Sequence, residues 1–174
     1  MFNELNTLKI FFKEPTREYN IREVARIIKK APATISKELD KYQKKGILQE
    51  RKERMLKLYR ANIENELYKD VKVFFLLREI KESGLLEELN NFYLKPTIIL
   101  FGSGAQGRDT ETSDIDLCII SEKIQTKPSI QIFEKRLKRP VQLIVTENIK
   151  GIKNKQLIIN IINGIVIQGK LKWI

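Results

Sequence analysis

Phe101-Gly102-Ser103-Gly104-Ala105-Gln106-Gly107-Arg108-Asp109-Thr110-Glu111-Thr112-Ser113-Asp114-Ile115-Asp116 is the stretch that decides how this 174-residue chain is read. Before it, Lys95-Pro96 opens an apolar run, Thr97-Ile98-Ile99-Leu100-Phe101, with the length of a buried strand. After it, Asp114-Ile115-Asp116-Leu117-Cys118-Ile119-Ile120 reads as a second strand. Three explanations of the glycines compete. Gly102, Gly104 and Gly107 satisfy G-x-G-x-x-G literally, but a dinucleotide site needs a full crossover helix behind the glycines. Only seven residues lead from Gly107 to the strand start at Asp114, too few for that helix. A P-loop fails because the Gly-Lys-Ser/Thr ending is missing. The third explanation takes the glycines and the acids together.

Alternate residues of a strand share one face, so Asp114 and Asp116 project the same way while Ile115 and Leu117 turn into the core. Two carboxylates so close repel each other. A hard divalent cation, shared with substrate phosphates, resolves the repulsion. Gly102 lets backbone approach a phosphate, and Ser103 with the loop amides can donate to phosphate oxygens. Arg108 adds a charge. Gly102-Ser103, ten residues, then Asp114-x-Asp116, with Gly107-Arg108 and Ser113 between, resembles the signature of the DNA polymerase β-like superfamily. More narrowly it is similar to the minimal nucleotidyltransferases, over about residues 90–170. The resemblance implies a small mixed sheet flanked by helices. It also implies an NTP held by Gly102, Ser103, Gly107, Arg108 and Ser113, and Mg²⁺ or Mn²⁺ held by Asp114 and Asp116 as the catalytic pair. Such domains often act as antitoxins that adenylylate a HEPN-type RNase, so a HEPN-type toxin is an implied partner.

The later segments follow that family's chain order: a helix over Pro128 to Lys138, a strand Pro140 to Thr146, an amphipathic helix Glu147 to Ile162, and a closing strand in Gly164 to Gly169. One residue departs from it. The family usually carries a third Asp on the middle strand, and here the matching residue is Gln142. An amide cannot supply charge to a metal or take a proton from an attacking hydroxyl. Cys118 falls on the Asp116 side by parity and is expected to be a small buried residue.

The N-terminal part carries a different signal. Asn3 to Lys13 reads as a helix with Leu5, Leu8, Phe11 and Phe12 on one face. Asn20 is expected to cap a second helix, with Glu23 at the capping-box position. Pro32 starts a third, with Ile35, Leu39 and Tyr42 as its stripe and Gly46 closing it. Ile47 to Arg51 and Met55 to Ala61 read as strands joined by a Lys52-Glu53-Arg54 turn. Three helices followed by a basic hairpin resemble the winged helix-turn-helix of transcription regulators. In that arrangement the third helix enters the major groove of duplex DNA. It would present Thr34, Ser36, Lys37, Lys41 and Lys44, followed by Lys45, and the wing would present Arg51, Lys52 and Arg54. A homodimer is expected, since palindromic half-sites suit two-fold pairs.

Composition agrees with polyanionic partners. The net charge is +11. Residues 1–65 hold 16 Lys and Arg against 9 Asp and Glu, and residues 66–174 hold 17 against 13, so the shorter segment carries most of the excess. There is no histidine, which removes imidazole acid–base chemistry and the Ser-His-Asp and Cys-His triads. A single cysteine excludes an intrachain disulfide. No apolar run of membrane length is present, and a cytoplasmic location is the expectation.

The expectation is therefore an α/β chain of α+β type. Residues 1–62 form a winged helix-turn-helix, 63–94 are linking helices (Glu64 to Glu82, then Leu85 to Tyr93), and 95–174 form a nucleotidyltransferase domain. The function expected is metal-dependent transfer of a nucleoside monophosphate from an NTP. The alternative is a DNA-binding regulator whose C-terminal domain binds nucleotide, or serves as a scaffold, without turnover.

Overall fold

The computed structural model describes residues 5–123 and 126–171, and the chain divides into two units, Met1–Phe75 and Leu76–Ile174. In the first unit a 3₁₀ turn, Leu5–Thr7, precedes α1 (Lys9–Lys13). The expected single helix is thus broken, and Asn3 lies outside the described residues. The break has a local cause. The Leu8 amide bonds Leu5 O three residues back, and the buried Thr7 hydroxyl donates to Glu38.

β1 (Tyr19–Asn20) was not anticipated from sequence. Asn20 is at once its last residue and the cap of α2 (Ile21–Ile28), accepting from the Glu23 amide at 2.9 Å. Pro32 begins α3 (Pro32–Lys44). Gly46, at φ +73°, closes it: the Ile47 amide bonds Tyr42 O and the Gly46 amide bonds Gln43 O, which satisfies two of the helix's last carbonyls.

β2 (Leu48–Glu53) and β3 (Leu56–Ala61) form the hairpin. Its turn is Arg54-Met55, one step later than expected, because Glu53 pairs with Leu56. A two-residue hairpin needs a positive φ, and Arg54 adopts +53° without a glycine to advertise it. β1 adds to β3, Tyr19 opposite Tyr59, giving the sheet order β1-β3-β2. Leu8, Phe11, Val24, Ile35, Leu39 and Tyr59 are fully buried in this unit's core. Tyr68 and the half-buried Val71 and Phe75 of α4 (Glu66–Ser83) join them.

In the second unit, the end of α4 is followed by α5 (Leu85–Tyr93), β4 (Thr97–Phe101), α6 (Gly102–Ala105) and β5 (Ile115–Ile120). Then come α7 (Gln131–Leu137), β6 (Val141–Thr146), α8 (Lys155–Ile162) and β7 (Ile165–Gln168). Asp114, expected as the first strand residue, lies just ahead of the ladder. The helix expected over Glu147 to Ile162 is instead a 3₁₀ turn, Ile149–Gly151, and the shorter α8. Two asparagines interrupt it: Asn148 accepts from the Gly151 amide at 2.9 Å and Asn154 from the Leu157 amide at 3.1 Å, each restarting the chain as a cap.

The sheet order is β6-β5-β4-β7, with β5 and β6 parallel and the other pairs antiparallel. It is the small mixed sheet flanked by helices that was expected. Ile98, Leu100, Ile115, Leu117 and Leu143 pack on one face against Leu76 and Ile80 of α4, Leu89 of α5 and Phe133 of α7. On the other face Ile99, Phe101 and Cys118 meet Ile161 of α8, with Ile144, Ile152 and Leu157 around them. Burial pushes the Cys118 thiol up to about 11, consistent with a packed and uncharged residue.

Candidate active site

Phe101, the last residue of β4, pairs with Asp116 of β5, so the glycine loop begins where the second acid stands. Gly102 turns away at φ +72°, and a Cβ there would lie 2.4 Å from Asp116 Oδ2. The carboxylate therefore rests on the bare α-carbon of Gly102, and no other residue type leaves that room. Asp116 is half-buried and Asp114 exposed. The Asp116 carboxyl is raised above its ordinary range, first by burial and then by the charge of Asp114, with Arg139 pulling the other way.

Behind Gly102, α6 makes a single turn. Ser103 O accepts from the Gln106 and Arg108 amides at 3.1 and 3.0 Å, which draws the loop back over itself. Gly107 is buried at φ +64°, and Arg108 is exposed. The Ser113 hydroxyl accepts from the Thr110 amide at 2.9 Å and lies 3.1 Å from Thr110 Oγ1, so it closes the loop from within. In the parallel ladder Asp116 stands opposite Gln142, which is exposed. Among the described residues no group of three or more His, Cys, Asp or Glu side chains converges. Asp114 and Asp116 are the two carboxylates that stand next to the glycine turn.

Two residues of the neighbourhood escaped the sequence reading. Asp109 is 3% exposed and takes Arg139 Nη1 at 2.7 Å. Arg139 also donates from Nε to Ser113 O at 2.8 Å and from Nη2 to Asp114 O at 3.2 Å. They are separated by 30 positions and belong to no recurring spacing. The only sequence hint was an arginine directly before the Pro140 strand start.

In the N-terminal unit, Thr34, Lys37, Lys41 and Lys44 are exposed on α3, and Ser36 is half-buried. Lys37, Asp40, Lys41, Lys44 and Lys45 line an open cleft of about 460 Å³. The helix's own acids are paired. Glu38 takes Lys30 and Thr7, and Asp40 takes Lys57 and the Tyr59 hydroxyl. Lys52 and Arg54 are exposed at the hairpin. Arg51 is gripped by both Glu18 oxygens, at 3.1 and 2.7 Å, and by Glu53 at 2.8 Å.

An antiparallel β4–β5 pair, a glycine turn at its end and an acid seated in that turn define the class to which the second unit conforms. The family model of the nucleotidyltransferase domain matches residues 82–168, half of the chain, and the chain belongs to that family. No curated protein and no solved structure matches it. Among the described residues no helix is long and apolar enough to cross a membrane.

Proposed function

We propose that the chain transfers a nucleoside monophosphate from an NTP to an acceptor hydroxyl in a metal-dependent reaction, and that its N-terminal unit is a winged helix-turn-helix that binds duplex DNA. The observation that carries the first part is the Asp116 carboxylate seated on Gly102, with Asp114 two residues before it. Two carboxylates beside a glycine turn suit Mg²⁺ or Mn²⁺, whose remaining ligands come from phosphates and water. Asp114 and Asp116 would hold the ion, and when bound it supplies positive charge to the phosphate oxygens. Gly102, Ser103, Gly107, Arg108 and Ser113 belong to the loop that would take the triphosphate. The acceptor hydroxyl oxygen attacks the α-phosphorus, the bond to the bridging oxygen breaks, pyrophosphate leaves, and the hydroxyl proton passes to water. Gln142 cannot take the acceptor's proton. A hydroxyl of a HEPN-type toxin is the acceptor suggested by the family's common role.

A second reading is favoured by one register position. Gln142 stands opposite Asp116 in the parallel ladder, at the position where the family usually carries a third carboxylate. In this reading the C-terminal unit binds nucleotide without turnover and the protein is a DNA-binding regulator. Incubation with Mg²⁺ and labelled NTPs, with and without the product of the neighbouring gene, separates the two. Label on an acceptor, lost in Asp116→Asn, is expected. Retained nucleotide binding with no transfer to anything would establish the regulator instead.

For the N-terminal unit, exposed Lys37, Lys41 and Lys44 are positioned for phosphates, and Thr34 and Ser36 offer short polar groups to bases. Lys52 and Arg54 extend the basic surface along the hairpin, and Arg51 would contribute only by exchanging its carboxylate partners for phosphate. A homodimer on a palindromic site completes the proposal.

A further inference from the structure

We propose that Arg139, anchored by Asp109, is a positioning residue that sets the first carboxylate of the pair, Asp114, at the height where a cation shared with Asp116 can be held. The inference rests on the metal-site reading above and goes beyond it to residues outside the glycine loop and the acidic strand.

The guanidinium is a planar fork, and here three of its nitrogens have separate acceptors. Nη1 bonds the buried Asp109 carboxylate, Nε bonds Ser113 O, and Nη2 bonds Asp114 O. The Arg139 side chain is 15% exposed and that of Asp109 is 3% exposed, so the fork is fixed from below. One residue further on, the Ile115 amide donates to Pro140 O at 2.9 Å. Residues 113–115 are thereby laced to residues 139–140.

The peptide between Asp114 and Ile115 is held at both its polar groups: its N–H donates to Pro140 O and its carbonyl accepts from Arg139 Nη2. Asp114 itself lies ahead of the β5 ladder, so Arg139 completes the hold that pairing begins at Ile115. A flexible lysine presents a point charge and cannot hold the three acceptors in one plane. Partners bonded to a metal ligand typically change cation affinity about 10–100-fold when removed, and Arg139 acts one step behind, through the Asp114 backbone carbonyl.

The test uses the full-length protein, Mn²⁺ alone as the probe, and four variants: Arg139→Gln, Arg139→Lys, Asp109→Asn and Asp116→Asn. Thermal unfolding and circular dichroism establish which variants fold. Electron paramagnetic resonance of free Mn²⁺ measures binding. In folded Arg139→Gln and Asp109→Asn the dissociation constant is expected to rise about 10-fold or more, with Arg139→Lys recovering part of the loss. Wild-type affinity in folded Arg139→Gln, or loss of folding in all three clamp variants, overturns the positioning role and leaves the metal site standing. Absence of Mn²⁺ binding in the wild type, or undiminished binding in Asp116→Asn, overturns the metal-site reading and the clamp with it.

Discussion

At the scale of single residues, Gly102 carries a tight demand directly beside the acidic pair. Its positive φ costs an alanine about 1–2 kcal/mol, and the added methyl would also meet Asp116 Oδ2. Gly102→Ala is therefore expected to fold with a lowered Tm and to lose Mn²⁺ affinity far out of proportion to its loss of stability. Unfolding curves beside Mn²⁺ titrations check this, and equal losses in both would argue against the seat. The nearness of Gly102 to Asp116 could be read from the sequence because a short loop joins two strands within one stretch. Asp109 and Arg139 could not, since their meeting depends on the return of β6 to the side of β5. Arg51 misled for a similar reason. A basic residue in a hairpin looks available until the fold brings Glu18 to its side.

At the scale of elements, α2 and α3 declared themselves by their end residues and the short strand β1 did not. Asn20, Pro32 and Gly46 bound their helices as their chemistry dictates. β1 is two residues long and has no periodicity to detect; it exists because Tyr19 pairs with Tyr59 and its hydroxyl reaches Glu14 at 2.6 Å. That hydroxyl, and after it Arg17, holds the Glu14 carboxyl below the ordinary range. A lowered carboxylate stabilises the fold above its unfolded-state pKa, and the contribution is lost as pH falls through the folded value. Tyr19→Phe is accordingly expected to lower Tm most at neutral pH. The gap to wild type should narrow as the pH drops through the carboxylate range, and a gap independent of pH would assign the loss to packing alone. The split of the expected helix before α8 follows from asparagine side chains competing for backbone amides, a local choice that apolar periodicity conceals.

At the scale of the whole molecule, the acids of α3 are paired with other elements. Glu38 bonds Lys30, and Asp40 bonds Lys57 and Tyr59 while bordering the cleft that Lys37, Lys41, Lys44 and Lys45 line. Duplex affinity should fall steeply with salt, each neutralised phosphate adding about −0.9 to the logarithmic slope. Lys37→Glu with Lys41→Glu is expected to weaken binding and flatten that slope by about two. Fluorescence anisotropy across a salt series measures it, and an unchanged slope would remove α3 from the interface. Helix α4 bears on any attempt to dissect the protein. Its Tyr68 closes the first core, its hydroxyl on Phe11 O at 3.0 Å, while its Leu76 and Ile80 are buried in the second. A fragment stopping at residue 62 would forfeit Tyr68, and one starting at residue 95 would forfeit Leu76, Ile80, Leu85, Leu89 and Tyr93. The cut that respects both cores falls inside the helix, between Phe75 and Leu76. Recombinant pieces divided there keep each core's own residues, whereas pieces divided at either end of the helix would show an instability made by the scissors.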